Sequence, residues 1–121
     1  MKKATILICD DEPGIRDSLT LILGKEYNLL YASNGEEALE TLKKNGAALL
    51  IMDVKMPKMG GLEALRPIKK LKPGIRILIA TGYESSDVAS QAINLGADDY
   101  LVKPFTRNQV ETKVSGLLNL P

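Results

Sequence analysis

The sequence predicts an α/β fold, a single doubly wound domain whose five-stranded parallel sheet carries helices on both faces. Three observations predict it. Short apolar runs alternate with segments of helical period along the whole chain. The central runs are continuously apolar rather than alternating, which is how strands read when both sheet faces are covered. Four runs also stop on a residue able to do chemistry. Ile6-Leu7-Ile8-Cys9 meets Asp10-Asp11-Glu12, and Leu49-Leu50-Ile51-Met52 ends on Asp53. Ile77-Leu78-Ile79-Ala80 ends on Thr81, and Tyr100-Leu101-Val102 ends on Lys103-Pro104. Successive strand–helix units with short right-handed crossovers give a parallel sheet. Ligands of such sheets bind outside the carboxyl ends of the strands.

Each element has its own signal. After the first strand, Ile15, Leu19, Ile22 and Leu23 recur at helical spacing, with Pro13 near the start and Gly24 past the end. A second strand is predicted at Leu29–Ala32. Ser33 and Glu36 read as a capping box for a helix through Ala38, Leu39 and Leu42, closed by Gly46. The third strand spans about Ala48 to Asp53, followed by a loop holding Pro57, Gly60 and Gly61. Leu62, Leu65 and Ile68 give the third helix, which Pro67 should bend or shorten. Pro73-Gly74 is a turn before the fourth strand, Ile75–Ala80. Val88, Ala89, Ala92, Ile93 and Leu95 predict a helix stopped at Gly96, and Tyr100–Val102 a short fifth strand. Thr106 with Gln109 is a second capping box, opening a helix that carries Val110, Val114 and Leu117 on one face.

The bulk numbers narrow the function classes. A length of 121 residues suits one domain, expected over residues 1–121. Hydrophobic residues make up 45% and charged residues 26%, the balance of a globular protein. A net charge of +1 supplies no general pull towards nucleic acid or anionic lipid. No apolar stretch approaches the roughly 20 residues needed to cross a bilayer, and Lys2-Lys3 leads into only a short apolar run, unlike a secretory signal. The lone Cys9 excludes an internal disulfide framework and suits the cytoplasm, where an inert core thiol is expected. The chain has no histidine, so it has no His-based triad, no imidazole ligand and no internal phosphohistidine.

Asp10, Asp11 and Asp53 converge at one end of the predicted sheet. Two unit charges about 4 Å apart repel by roughly 4 kcal/mol at an effective dielectric near 20. Three carboxylates beside a single lysine therefore require that one takes a proton or that a cation joins them. Carboxylate, carbonyl and water ligands favour Mg²⁺, or alternatively Mn²⁺, over zinc. A metal held by few protein groups keeps positions open for an anionic oxygen such as that of phosphate. Taken singly, each residue has a blander reading. Asp10 or Asp11 could be a turn former, Thr81 before Gly82 a turn residue, and Lys103 a solvated charge. The bond to Pro104 is expected to be trans on general grounds.

Together these motifs resemble a family, the receiver domains of bacterial two-component response regulators. The resemblance rests on Ile8-Cys9-Asp10-Asp11-Glu12, Met52-Asp53-Val54-Lys55-Met56-Pro57, Ala80-Thr81-Gly82, Gly96-Ala97-Asp98-Asp99-Tyr100 and Lys103-Pro104-Phe105, in order along the chain. It implies the flavodoxin-like strand order 2-1-3-4-5. It further implies that Asp53 accepts a phosphoryl group from a sensor histidine kinase or phosphotransfer protein. Asp11 and Asp53 would hold Mg²⁺ directly and Asp10 through water, with the backbone carbonyl of Lys55 completing the protein ligands. Lys103 would pair with a phosphoryl oxygen. Thr81 and Tyr100 would form a switch pair, changing the surface of the fourth helix, fifth strand and fifth helix for an effector domain, a downstream protein or a second copy. The resemblance implies neither an enzyme acting on external substrates nor direct contact with nucleic acid or membrane.

Three departures carry expectations. Gly60 stands where the family commonly has an acidic residue, so a more mobile loop is expected. Pro67 is unusual inside the third helix. Lys55 and Tyr83, two residues beyond Asp53 and Thr81, would flank the phosphoryl group and lengthen its lifetime. The chain is expected to be either a free-standing regulator or, the favoured reading, the amino-terminal part of a longer one. Rival readings are an aspartate-nucleophile phosphatase, a flavodoxin-like FMN carrier and an unphosphorylated scaffold. The first would need a second Asp where Lys55 stands, and the second a neutral phosphate loop where Asp10-Asp11-Glu12 stand. The third usually lacks part of the acidic or lysine set, which this chain keeps whole.

Overall fold

A computed structural model describes residues 3–82 and 86–119. The elements run β1 (Thr5–Cys9), α1 (Pro13–Leu23), β2 (Asn28–Ala32), α2 (Gly35–Lys44), β3 (Leu49–Asp53), α3 (Gly61–Leu71), β4 (Arg76–Thr81), α4 (Ser86–Asn94), β5 (Asp99–Val102) and α5 (Arg107–Leu118). The five strands form one sheet in the order β2-β1-β3-β4-β5, every pair parallel. The predicted doubly wound fold is therefore present.

Alternate residues of the strands feed two cores. Leu7, Cys9, Leu50, Met52, Ile77 and Ile79 pack with the buried residues of α2, α3 and α4. Ile6, Ile8, Leu49, Ile51, Leu78 and Ala80 pack with Leu19, Leu23, Val110, Val114 and Leu117 of α1 and α5. Every residue of β3 is buried, as its central place requires. The strand registers align Cys9 with Met52 and Asp53 with Ala80, so the chemistry-bearing residues emerge side by side.

Helix ends follow local chemistry, with some shifts from expectation. Pro13 opens α1, where a missing N–H costs nothing. Gly24 caps that helix in a right-handed conformation rather than the left-handed one typical of glycine. The capping box of α5 is as expected: Thr106 Oγ1 accepts from the Gln109 amide at 3.1 Å, and Gln109 Oε1 from the Thr106 amide at 2.9 Å. For α2 the N-cap lies one residue later than the expected Ser33–Glu36 box. Asn34 Oδ1 accepts from the Glu37 amide at 2.9 Å, and Glu37 Oε1 accepts from the Ser33 amide. The Gly35 amide bonds to the Met59 carbonyl at 2.8 Å, which fixes Gly35 as the first helical residue. That helix closes at Asn45 rather than Gly46.

Pro67 does not shorten α3, which runs unbroken to Leu71 because Ala64, Leu65 and Ile68 anchor it on both sides of the proline. Gly96 takes φ +114° two residues past the end of α4, as a helix stop demands. The Lys103–Pro104 bond is cis, where trans was expected.

Candidate functional site

Four strand ends build the site. Asp10 follows β1, Asp53 closes β3, Thr81 closes β4, and Lys103 follows β5. Asp10 and Thr81 are 2% and 1% exposed and Asp53 5%, values unusual for polar residues at a loop-bearing rim. Asp11 is exposed. One oxygen from each of Asp10, Asp11 and Asp53 lies within 4.8 Å of the others.

Lys103 links Asp10 and Asp53 with Glu12. Its ammonium donates to Asp10 Oδ2 at 2.9 Å and to Glu12 Oε1 at 3.2 Å, and stands 3.4 Å from Asp53 Oδ2. Asp10 Oδ1 accepts the Glu12 amide at 2.9 Å, which sets the carboxylate's plane towards the lysine. The Lys103 amide in turn bonds to the Thr81 carbonyl at 2.7 Å, fixing where the side chain begins.

The charges perturb one another. Burial, then the neighbouring Asp10, push the Asp53 carboxyl above its ordinary range, against the opposing pull of Lys103 and the Lys55 amide. Burial pulls the Lys103 ammonium down, but the hydrogen bond and charge of Asp10, with Asp53 and Glu12, outweigh it and the net direction is up. Burial pushes the Cys9 thiol up to about 12, and its Sγ sits 3.3 Å from the Asn34 carbonyl. Cys9 is thus the inert core thiol expected.

A cavity of about 240 Å³ opens beside Asp53, lined by Glu12, Asp53, Val54, Lys55, Thr81, Gly82 and Lys103. A larger hollow of about 650 Å³ between α1 and α5 holds none of the expected site residues, being lined by Ile22, Tyr27, Glu111 and their neighbours. Two carboxylate charges about 5 Å apart repel by roughly 3 kcal/mol at an effective dielectric near 20. Three such groups against one ammonium leave net negative charge in an all-oxygen donor set, which fits a hard divalent cation such as Mg²⁺.

The structure brings Asp10, Asp11, Asp53, Lys55, Thr81 and Lys103 to one place. Tyr100 stands apart, 39% exposed beside Ala89, Ser90, Ile93 and Asn94. Lys113 Nζ lies 4.9 Å above its ring and donates to Asp99 Oδ1 at 3.2 Å. Tyr83 lies outside the described residues. Gly60 packs tightly: a Cβ there would come within 2.9 Å of the Val54 carbonyl, so an acidic side chain would require the loop to shift. A Cβ on Gly61 would fall against the Asp53 carbonyl. Sequence reasoning missed Glu12 as a partner of Lys103, although its place between the acid pair and Pro13 put it at the mouth of the site.

Residues 6–115 match the model of the response regulator receiver domain. The chain belongs to this family. Receiver domains are the phosphorylation-activated switches of two-component signal transduction, and phosphorylation on Asp is typical of them. Sporulation initiation phosphotransferase F of Bacillus subtilis is 36% identical over 121 residues, covering 99% of this receiver domain and 98% of the relative. Against other curated relatives, chiefly transcriptional regulators, the chain spans only 26–49% of their length. Among solved structures, a CheY-like receiver domain protein from Methanospirillum hungatei is 33% identical with a TM-score of 0.92, covering 98% of this chain and 95% of that one. The CheX-CheY-BeF3-Mg complex from Borrelia burgdorferi matches at 25% identity and a TM-score of 0.93, over 98% and 92% of the two chains.

Proposed function

We propose that residues 1–121 form one receiver domain in which Asp53 accepts the phosphoryl group, with Mg²⁺ held by Asp11 and Asp53, by Asp10 through water, and by the Lys55 carbonyl. One observation carries the reading: Asp53 is buried at the end of the central strand, beside two further carboxylates and 3.4 Å from the Lys103 ammonium. The Borrelia relative holds BeF3 and Mg in the same fold, which supports a phosphate-like ligand with the metal here.

An Asp53 oxygen attacks phosphorus as the P–N bond of a phosphohistidine breaks, and the bonding pair leaves with the imidazole nitrogen. The product is an acyl phosphate on Asp53. Bound Mg²⁺ would neutralise charge on the carboxylates and the phosphoryl oxygens. Lys103 moves its ammonium onto a phosphoryl oxygen, and the Thr81 hydroxyl donates to another. Positioning and electrostatics supply most of the catalysis in phosphoryl transfer, so this small set suffices. The acyl phosphate is later hydrolysed at the same site, which returns Asp53 to its free carboxylate and ends the signal.

Receiver domains interact with histidine kinases or phosphotransfer proteins and with effector domains. A phosphohistidine partner in the cytoplasm is the donor in this reading. The α4-β5-α5 surface, carrying Tyr100, is read by an effector domain, a downstream protein or a second copy.

The test is mass spectrometry after incubation with Mg²⁺ and phosphoramidate. Wild type should gain one phosphoryl group, while Asp53→Ala and an EDTA-treated sample gain none. A phosphoryl group on Asp53→Ala would overturn the assignment.

A further inference from the structure

Among the described residues, Glu12 is the one carboxylate on Lys103 that lies outside the three-acid cluster. Lys103 is only 11% exposed at its side chain, and three acids surround its ammonium at 2.9, 3.2 and 3.4 Å. Asp10 and Asp53, at the inner end, belong to the set that fits a divalent cation. Glu12, with a side chain 61% exposed, approaches from the rim and also lines the cavity beside Asp53. When a cation engages the inner carboxylates, their negative charge is shared and their hold on the ammonium weakens. Glu12 keeps its full charge for Lys103. The backbone of Glu12 is tied down independently, since its amide donates to Asp10 Oδ1 and its carbonyl accepts the amides of Ile15 and Arg16. Its carboxylate is therefore presented from a fixed base, and replacing it by an amide leaves those bonds intact.

We propose that Glu12 is a positioning residue for phosphoryl transfer, keeping the Lys103 ammonium at the mouth of the acceptor cavity until a phosphoryl oxygen takes it. This inference rests on the proposed phosphorylation of Asp53. Other hollows do not carry as far. The groove of Leu39, Lys43, Pro67, Lys70 and Leu71 between α2 and α3, and the acidic hollow beside Tyr27, show nothing that identifies an occupant.

The experiment is a double-mutant cycle on the rate of phosphorylation by phosphoramidate at saturating Mg²⁺. Glu12 is the solvent-exposed member of the pair and its charge is partly screened, so Glu12→Gln should slow the reaction only about two- to fivefold. Glu12→Asp should recover part of the loss. In a Lys103→Met background, Glu12→Gln should have no further effect. A second readout needs no phosphodonor: the Lys103 ¹³Cε resonance in Mg²⁺-loaded, lysine-labelled protein should move towards that of a free lysine in Glu12→Gln. An unchanged or faster rate in Glu12→Gln, an equal loss in both backgrounds, or an unmoved resonance would overturn the proposal. Absence of phosphorylation in wild type itself would instead remove the reading of Asp53, and this inference with it.

Discussion

Asp53 is the residue at which the site is least comfortable without a metal. A carboxyl raised above its ordinary value binds protons more readily in the folded than in the unfolded chain. The metal-free fold therefore loses stability as pH rises through the window from 3.8 up to that raised value, and stays lower above it. Asp53→Asn removes this charge while Lys103 keeps Asp10 and Glu12. In EDTA at pH 7 the variant should be more stable by about 1 kcal/mol, or roughly 3–5 °C in a domain of this size. Thermal melts at falling pH should show the gain shrinking as the wild-type carboxyl takes its proton. A variant less stable at pH 7, or a gain independent of pH, would contradict this. The three aspartates, Thr81 and Lys103 were legible in the sequence because each ends a strand or follows one within two residues, and parallel strands must deliver their ends together. Glu12 was not, because its reach depends on where Lys103 arrives from another strand 91 residues away.

Among the elements, α3 shows tertiary packing overruling a local breaker. Pro67 has no N–H to give the Glu63 carbonyl, yet the helix continues because Ala64, Leu65 and Ile68 are fully buried against the sheet. The ring itself is exposed at the rim of the groove it lines with Leu39 and Leu71, so Pro67→Ala gives up little burial and restores the missing bond. An interior proline costs up to about 3 kcal/mol, from which the greater freedom of the unfolded variant takes back about 0.4–1 kcal/mol. A net gain of roughly 1–2 kcal/mol is expected, read as a higher urea midpoint at unchanged slope. No gain would mean that water already satisfies that carbonyl. The same competition explains which boundaries the sequence could not place. The Ser33–Glu36 pattern is a sound local cap, but the bond from Gly35 to Met59, 24 residues on, sets the helix start. Thr106 and Gln109 have no such rival, and their box lies where the sequence put it.

For the molecule as a whole, the parallel sheet and the placement of the site were legible from apolar runs and strand ends, and the strand order only from the family resemblance, whereas the side-chain positions of Thr81 and Tyr100 were not legible. Thr81 is buried at the mouth of the site, and Tyr100 points outward beneath Lys113, with its strand partner Ile79 lying two residues before Thr81. Side-chain rotamers on a surface depend on neighbours from other elements, here Lys113 of α5, which no spacing reveals. In the proposed switch, Thr81 moves to the phosphoryl group and Tyr100 turns inward. Coupling between sites is typically about 1–3 kcal/mol, whereas a swing from 1:99 to 99:1 needs about 5.5 kcal/mol. A coupling of about 2 kcal/mol multiplies the ratio of states about 30-fold, raising a minor inward state of roughly 5% to roughly 60%. Resonances of the Tyr100 ring, followed with and without beryllofluoride and Mg²⁺, should therefore show both environments in each condition, with their proportions shifted on activation. Thr81→Ala should leave the resting proportions close to wild type and remove most of the shift. A ring that keeps one environment throughout, or a Thr81→Ala variant that shifts as far as wild type, would break the link between acceptor site and output surface.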